Sequence, residues 1–90
     1  MNKWWVYIIE CRNNSLYTGI SIDVDRRYNE HQYDNQKASR YCLSLRPLKL
    51  VYKSKPFKNK SSAAKEEYRI KKLHKREKIK LINSHENFKS

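Results

Sequence analysis

The chain is predicted to be an α+β domain: a small three-stranded antiparallel sheet, made of a hairpin plus a third strand and flanked by helices. Three observations predict it. Residues 4–20 are rich in β-branched and aromatic side chains around an Asn13-Asn14 turn. A second strand-like run, Leu48 to Ser54, lies between Pro47 and Pro56. Helical spacing of apolar residues begins after Asp23 and again after Ser61. Ninety residues close only one modest core, so a single domain over residues 1–83 is expected, with 84–90 a frayed tail.

Trp4-Trp5-Val6-Tyr7-Ile8-Ile9 is too short, and too soon followed by Glu10 and Arg12, to target or span a membrane. It reads as the first strand, and Ser15 to Ile20 as the second. Strand periodicity is two, so Tyr7 and Tyr17 share a face only if the turn holds an odd number of residues or one strand is bulged. Gly19, the single glycine of the chain, has two readings. It is an ordinary strand-end glycine, or it marks a place that admits no side chain, through positive φ or close approach of a ligand.

Asp23 is a good N-cap, and Val24, Arg27, Tyr28 and His31 then share one helical stripe. Pattern alone allows half-buried packing there, with the Arg27 guanidinium reaching the surface. Gln32 to Arg46 is a polar, basic loop with room for a short helix, of the kind that carries binding contacts. Pro47 opens the third strand and Pro56 stops it. Ser61 or Ser62 caps a helix through about Leu73, and a shorter helix, Lys75 to Asn83, carries Ile79, Leu81 and Ile82. Ala63, Ile70 and His74 mark one face of the first of these, with Glu66 and Glu67 flanking its midline. Each carboxylate there is tied to a basic residue or holds a metal, and periodicity does not choose between the two glutamates.

Lysine and arginine outnumber aspartate and glutamate by 21 to 9, a net charge of +12 that favours a polyanionic partner, nucleic acid above all. A merely solubilising basic surface is the plainer alternative. Cys11 and Cys42 form no metal-binding spacing and read as free thiols. No leader, spanning run or lipidation motif is present, so a cytoplasmic location without membrane contact is expected.

Val6-Tyr7-Ile8, then Tyr17-Thr18-Gly19, then Asp23-Val24-Asp25-Arg26-Arg27-Tyr28-Asn29-Glu30-His31 and, further on, Ala64-Lys65-Glu66-Glu67-Tyr68-Arg69-Ile70-Lys71-Lys72-Leu73 resemble the GIY-YIG nuclease family. The likeness runs from about Trp4 to about Leu81 and is nearest to the small single-domain bacterial members. The family segment ending in E-Y-R-[IV]-K-x-L places its glutamate on Glu67. The resemblance implies a metal-dependent endonuclease that hydrolyses phosphodiester bonds in structured, damaged or single-stranded DNA, in repair or recombination. It implies catalytic roles for Tyr7, Tyr17, Arg27, His31 and Glu67, with Glu67 holding a divalent ion, Mg²⁺ or Mn²⁺, alongside waters and phosphate. Which tyrosine takes a proton stays open, and so does the role of His31 as relay, phosphate contact or support.

Gly19, Arg26, Lys37, Arg40 and Arg46 are candidate nucleic-acid contacts, with Lys53, Lys55, Lys71 and Lys72 behind them. Tyr33 and Tyr41 are candidates to stack on an unpaired base, while Tyr28 is better suited to the core. Relatives have glycines in the 32–46 loop where this chain has none, so its conformation does not carry over, and no motif brings Asn83 to the site. The alternatives are a nucleic-acid-binding module with little or no turnover, and a basic partner of a larger protein that supplies specificity.

Overall fold

Strand β1 (Trp5–Glu10) is apolar from Val6 through Ile9 because both of its faces are covered. In the computed structural model, which describes residues 3–84, β1 is the central strand of a three-stranded antiparallel sheet of order β2-β1-β3. Strands β2 (Leu16–Ser21) and β3 (Lys49–Lys53) form its edges. Alternation along β1 divides the core in two. Tyr7, Ile9 and Cys11 pack with Val24 of α1 (Val24–Tyr33) and Cys42 of α2 (Arg40–Ser44). Val6 and Ile8 point the other way, to Ala63 and Ile70 of α3 (Lys60–Lys71), with Leu81 and Ile82 of α4 (Lys75–Asn83) behind them. The predicted α+β architecture is the one observed.

The hairpin register pairs Glu10 with Leu16 and leaves residues 11–15 as the turn, an odd number. Tyr7 therefore stands opposite Gly19, Tyr17 opposite Ile9, and both tyrosines project to the same face. Asn14 takes the left-handed conformation the turn needs, at φ 68°. A register shift lies elsewhere, between Ile8 and Ile9 on the β3 side.

Gly19 has neither positive φ nor an open approach for a ligand. A Cβ at this position would lie on the Tyr7 hydroxyl and 2.6 Å from its Cζ, so the glycine makes room for the Tyr7 ring. Gly19→Ala is expected to cost about 1–3 kcal/mol by overpacking. Urea unfolding of Gly19→Ala with and without Tyr7→Ala checks this. The penalty should largely vanish once the ring is gone, and an equal penalty in both backgrounds would place its origin elsewhere.

Asp23 caps α1 as expected, its side chain accepting from the Arg26 amide at 3.0 Å. Helix α3 starts before the predicted serines, because Asn59, an equally good cap upstream of them, accepts from the Ser62 amide at 2.8 Å. His74 does not belong to the face of α3. It precedes α4, where the Glu77 carboxylate accepts from its amide at 3.0 Å. The expected short helix of the 32–46 loop is α2, capped by the Ser39 hydroxyl. The tail expected over 84–90 lies, apart from Ser84, outside the described residues. Cys11 and Cys42 are free and buried. Among the described residues no helix is long and apolar enough to cross a membrane.

Candidate active site

Helix α1 lays its buried stripe over the Tyr7 face of the sheet, and His31 is wholly enclosed there. Its Nδ1 accepts from the Ser39 backbone N–H at 3.2 Å, and its Nε2 lies 3.0 Å from the Tyr7 hydroxyl. An amide only donates, so Nδ1 must present a lone pair. A neutral ring then carries its hydrogen on Nε2 and donates it to Tyr7. Burial, reinforced by the charges of Arg27 and Arg46 against that of Glu30, pushes the His31 pKa down to about 4 and keeps the ring neutral. Tyr7 thus accepts from His31, and its own hydrogen is directed elsewhere. Burial first and then Tyr17 raise the Tyr7 pKa, Arg27 pulls against them, and the hydroxyl stays protonated.

This chain of bonds sets a pH dependence. The folded-state pKa of His31 lies below its ordinary 6.5, so the contribution of the neutral ring is complete above about pH 6.5 and is lost as pH falls toward 4. The loss should reach about 3 kcal/mol, the product of the shift and 1.36 kcal/mol per unit. Unfolding free energies measured from pH 7 to 4 should show this slope in the wild type and lack it in His31→Gln. The depressed carboxyls of Glu66 and Asp34 act lower, below their ordinary 4.5 and 3.8.

Tyr17 lies beside this pair, its ring centroid 6.4 Å from that of Tyr7 and 5.3 Å from His31 in an edge-on arrangement. Its hydroxyl makes no hydrogen bond among the described residues. Arg27 Nη1 donates to Glu30 at 2.9 Å and to the Lys37 carbonyl at 2.8 Å, which holds the guanidinium near Tyr7. Burial works against that charge, but Glu30 and Tyr7 outweigh it. The structure therefore brings together Tyr7, Tyr17, Arg27 and His31 on one face.

Glu67 belongs to the other layer. Its helix α3 packs on the opposite face of the sheet, against β1 and the edge strand β2. Glu66 is held there by two hydrogen bonds from Arg69, at 2.8 and 2.7 Å, and its charge acts on Tyr52 of β3. The Glu67 carboxylate instead meets Lys71, at 3.3 Å. Lys71 lines a hollow of about 390 Å³ at the β2 edge together with Leu16, Tyr17, Thr18, Tyr41 and Lys78. The two layers meet in that hollow, around the edge of the sheet rather than across one face.

Among the described residues no three His, Cys, Asp or Glu side chains cluster, so the fold builds no many-ligand metal cage there, and Glu67 is the single carboxylate that the resemblance points to for a divalent ion. The residues present fit such an ion. Glu67 is half-buried, and its pairing with a lysine whose side chain is 53% exposed is weak enough to exchange. A hard ion that keeps several waters and takes phosphate oxygens needs no larger protein cage.

The candidate nucleic-acid contacts separate by surroundings. Arg46 is engaged within the chain: it donates to the His31 carbonyl at 2.8 Å, to Asn35 at 2.8 Å and to the Asp34 carbonyl at 3.2 Å, clamping the loop onto α1. Gly19 is buried under Tyr7 and has no surface to offer. Lys37 and Arg40 are exposed, and so is Arg26, which lies 3.8 Å from Glu30. Tyr28 is a core residue whose hydroxyl donates to the Leu48 carbonyl at 2.9 Å, whereas Tyr33 is 75% exposed. Asn83 lines a separate cavity with Glu10, Lys49 and Ile79. Sequence reasoning missed Ser39 and Lys78. Ser39 carries a recognisable cap side chain, but its role at His31 belongs to its amide and has no residue-type signal.

A family model described as the GIY-YIG catalytic domain matches residues 3–80. A UPF0213 protein of Staphylococcus saprophyticus is 40% identical over 83 residues, covering 92% of this chain and 98% of its own. The UPF0213 protein YhbQ of Escherichia coli is 42% identical over 82 residues, covering 91% of this chain and 79% of its own. The solution NMR structure of a UPF0213 protein from Bacillus halodurans is similar at a TM-score of 0.57 and 38% identity, covering 94% of this chain and 86% of that one.

Proposed function

This chain belongs to the GIY-YIG family, and on that footing we propose that it is a metal-dependent endonuclease hydrolysing phosphodiester bonds in DNA. The observation that carries the reading is the convergence of Tyr7, Tyr17, Arg27 and His31 on one face of a strongly basic domain. Glu67 would hold a divalent ion, Mg²⁺ or Mn²⁺, which when bound supplies Lewis acidity at the phosphate.

The remaining work falls to side chains of the chain itself. Arg27, fixed by Glu30 and the Lys37 carbonyl, stabilises charge that develops on the phosphate oxygens. Tyr7 accepts from His31 and keeps its hydrogen, so it orients and donates rather than takes a proton. Tyr17 has a hydroxyl with no partner among the described residues, which suits it to hold the attacking water; as the phenolate, its own hydrogen already given up to solvent under the pull of Arg27 and a bound cation, it would take the water's proton and return to the phenol. His31 is a positioning residue, because its one basic nitrogen is occupied by the Ser39 amide. Exposed Arg26, Lys37 and Arg40 add phosphate contacts that hold DNA without reading its bases.

The test uses purified protein with labelled flap, overhang, single-stranded and duplex DNA, in Mg²⁺, Mn²⁺ or EDTA. Cleavage in the divalent metals and none in EDTA is expected. Cleavage that ignores EDTA overturns the metal dependence. Salt-sensitive binding without cleavage under either metal would make the protein a binding module instead.

A further inference from the structure

The hollow at the β2 edge has a chemistry that the hydrolysis of a phosphodiester does not itself require. Tyr41, in the first turn of α2, stacks on Tyr17 with ring centroids 6.0 Å apart and planes inclined by 21°. It is nevertheless 44% exposed, so part of its ring faces outward beside the tyrosine assigned to the attacking water. Lys71 of α3, which meets the Glu67 carboxylate at 3.3 Å in a weak surface pair, and Lys78 of α4 line the same hollow from the other layer. Its volume of about 390 Å³ falls in the lower range of small-ligand sites, roughly 300–1,000 Å³.

An aromatic ring flanked by ammonium groups is the combination that holds single strands, with a base on the ring and its phosphate on the cations. A base inside a duplex is already stacked on both sides and paired, and offers no face to Tyr41. We propose that this hollow is a subsite for one unpaired nucleotide of the substrate strand, its base on the outer part of the Tyr41 ring and its phosphate between Lys71 and Lys78. The inference deepens the nuclease reading and rests on it only in placing the nucleotide next to the bond that is cut. The preferred substrate is then a strand that is unpaired at this position, such as an overhang or a flap.

The subsite is tested without turnover, on the full chain in EDTA. The probe is a DNA hairpin with a short single-stranded overhang carrying 2-aminopurine, and a blunt hairpin is the control. Wild type and Tyr41→Phe should quench the fluorophore and favour the overhang over the blunt hairpin. Tyr41→Ala should lose the quenching and bind the overhang about 5- to 100-fold more weakly while its affinity for the blunt hairpin stays the same. Lys78→Ala should lower the slope of log affinity against log salt by about 0.7 on the overhang. Equal weakening of overhang and blunt DNA by Tyr41→Ala, or no quenching by the wild type, overturns the proposal. A protein that shows this pattern and never cleaves in metal keeps the subsite and loses the nuclease reading. One that cleaves but shows no preference for the overhang loses only the subsite.

Discussion

Arg27→Ala is expected to lower the single-turnover rate of DNA cleavage by about 10²–10³-fold, the loss typical of removing one preorganised charge from a transition state. The size follows from how the guanidinium is held. One nitrogen is fixed by both Glu30 and the Lys37 carbonyl, so the rest of the planar group is set beside Tyr7 before substrate arrives. Lysine has no second arm to be fixed in this way, and Arg27→Lys should restore little of the rate. Stability should change far less, by about 1 kcal/mol for the lost hydrogen bonds. Rates and unfolding midpoints measured together separate the two effects. A variant that cleaves at the wild-type rate would remove Arg27 from the chemistry.

Glu67→Gln is expected to slow cleavage at low metal concentration by about 10²-fold or more, as several kcal/mol of metal assistance is withdrawn. Raising the Mg²⁺ or Mn²⁺ concentration should recover part of the loss, because a neutral amide binds a hard ion weakly rather than not at all. Glu66→Gln is the control. Its carboxylate is already committed to Arg69 on the β3 side, in a surface pair worth about 1 kcal/mol or less, so its removal should leave the metal dependence unchanged. A metal titration of the three proteins decides the matter. Equal shifts in Glu66→Gln and Glu67→Gln would remove the distinction between the two glutamates.

Much of this site could be read from residue order. The parity of the hairpin placed Tyr7 and Tyr17 on one face, because side-chain direction in a strand depends only on counting residues. The stripe of α1 placed Arg27 and His31 toward that face for the same reason. Counting did not reveal that α3 packs on the opposite layer, so that Glu67 is linked to the sheet edge only by its pair with Lys71. Helical spacing gives the buried face of a helix but not the face of the sheet that receives it. Arg46 shows a related limit: the residue type suggests a phosphate contact, and the carbonyls it also binds are visible only in the fold. Gly19 was legible as a position without room for a side chain, and only packing showed that the occupant is Tyr7 rather than a ligand.

Cleavage of a labelled overhang DNA by Tyr17→Phe and wild type, under single turnover in Mg²⁺, tests most directly that this face performs the hydrolysis. The substitution removes one oxygen that has no hydrogen-bond partner among the described residues, so the far-UV circular dichroism and the unfolding midpoint should not move. The rate should fall by about 10²-fold or more, the contribution of a positioned base. Cleavage by Tyr17→Phe at the wild-type rate would contradict the assignment and place the chemistry elsewhere.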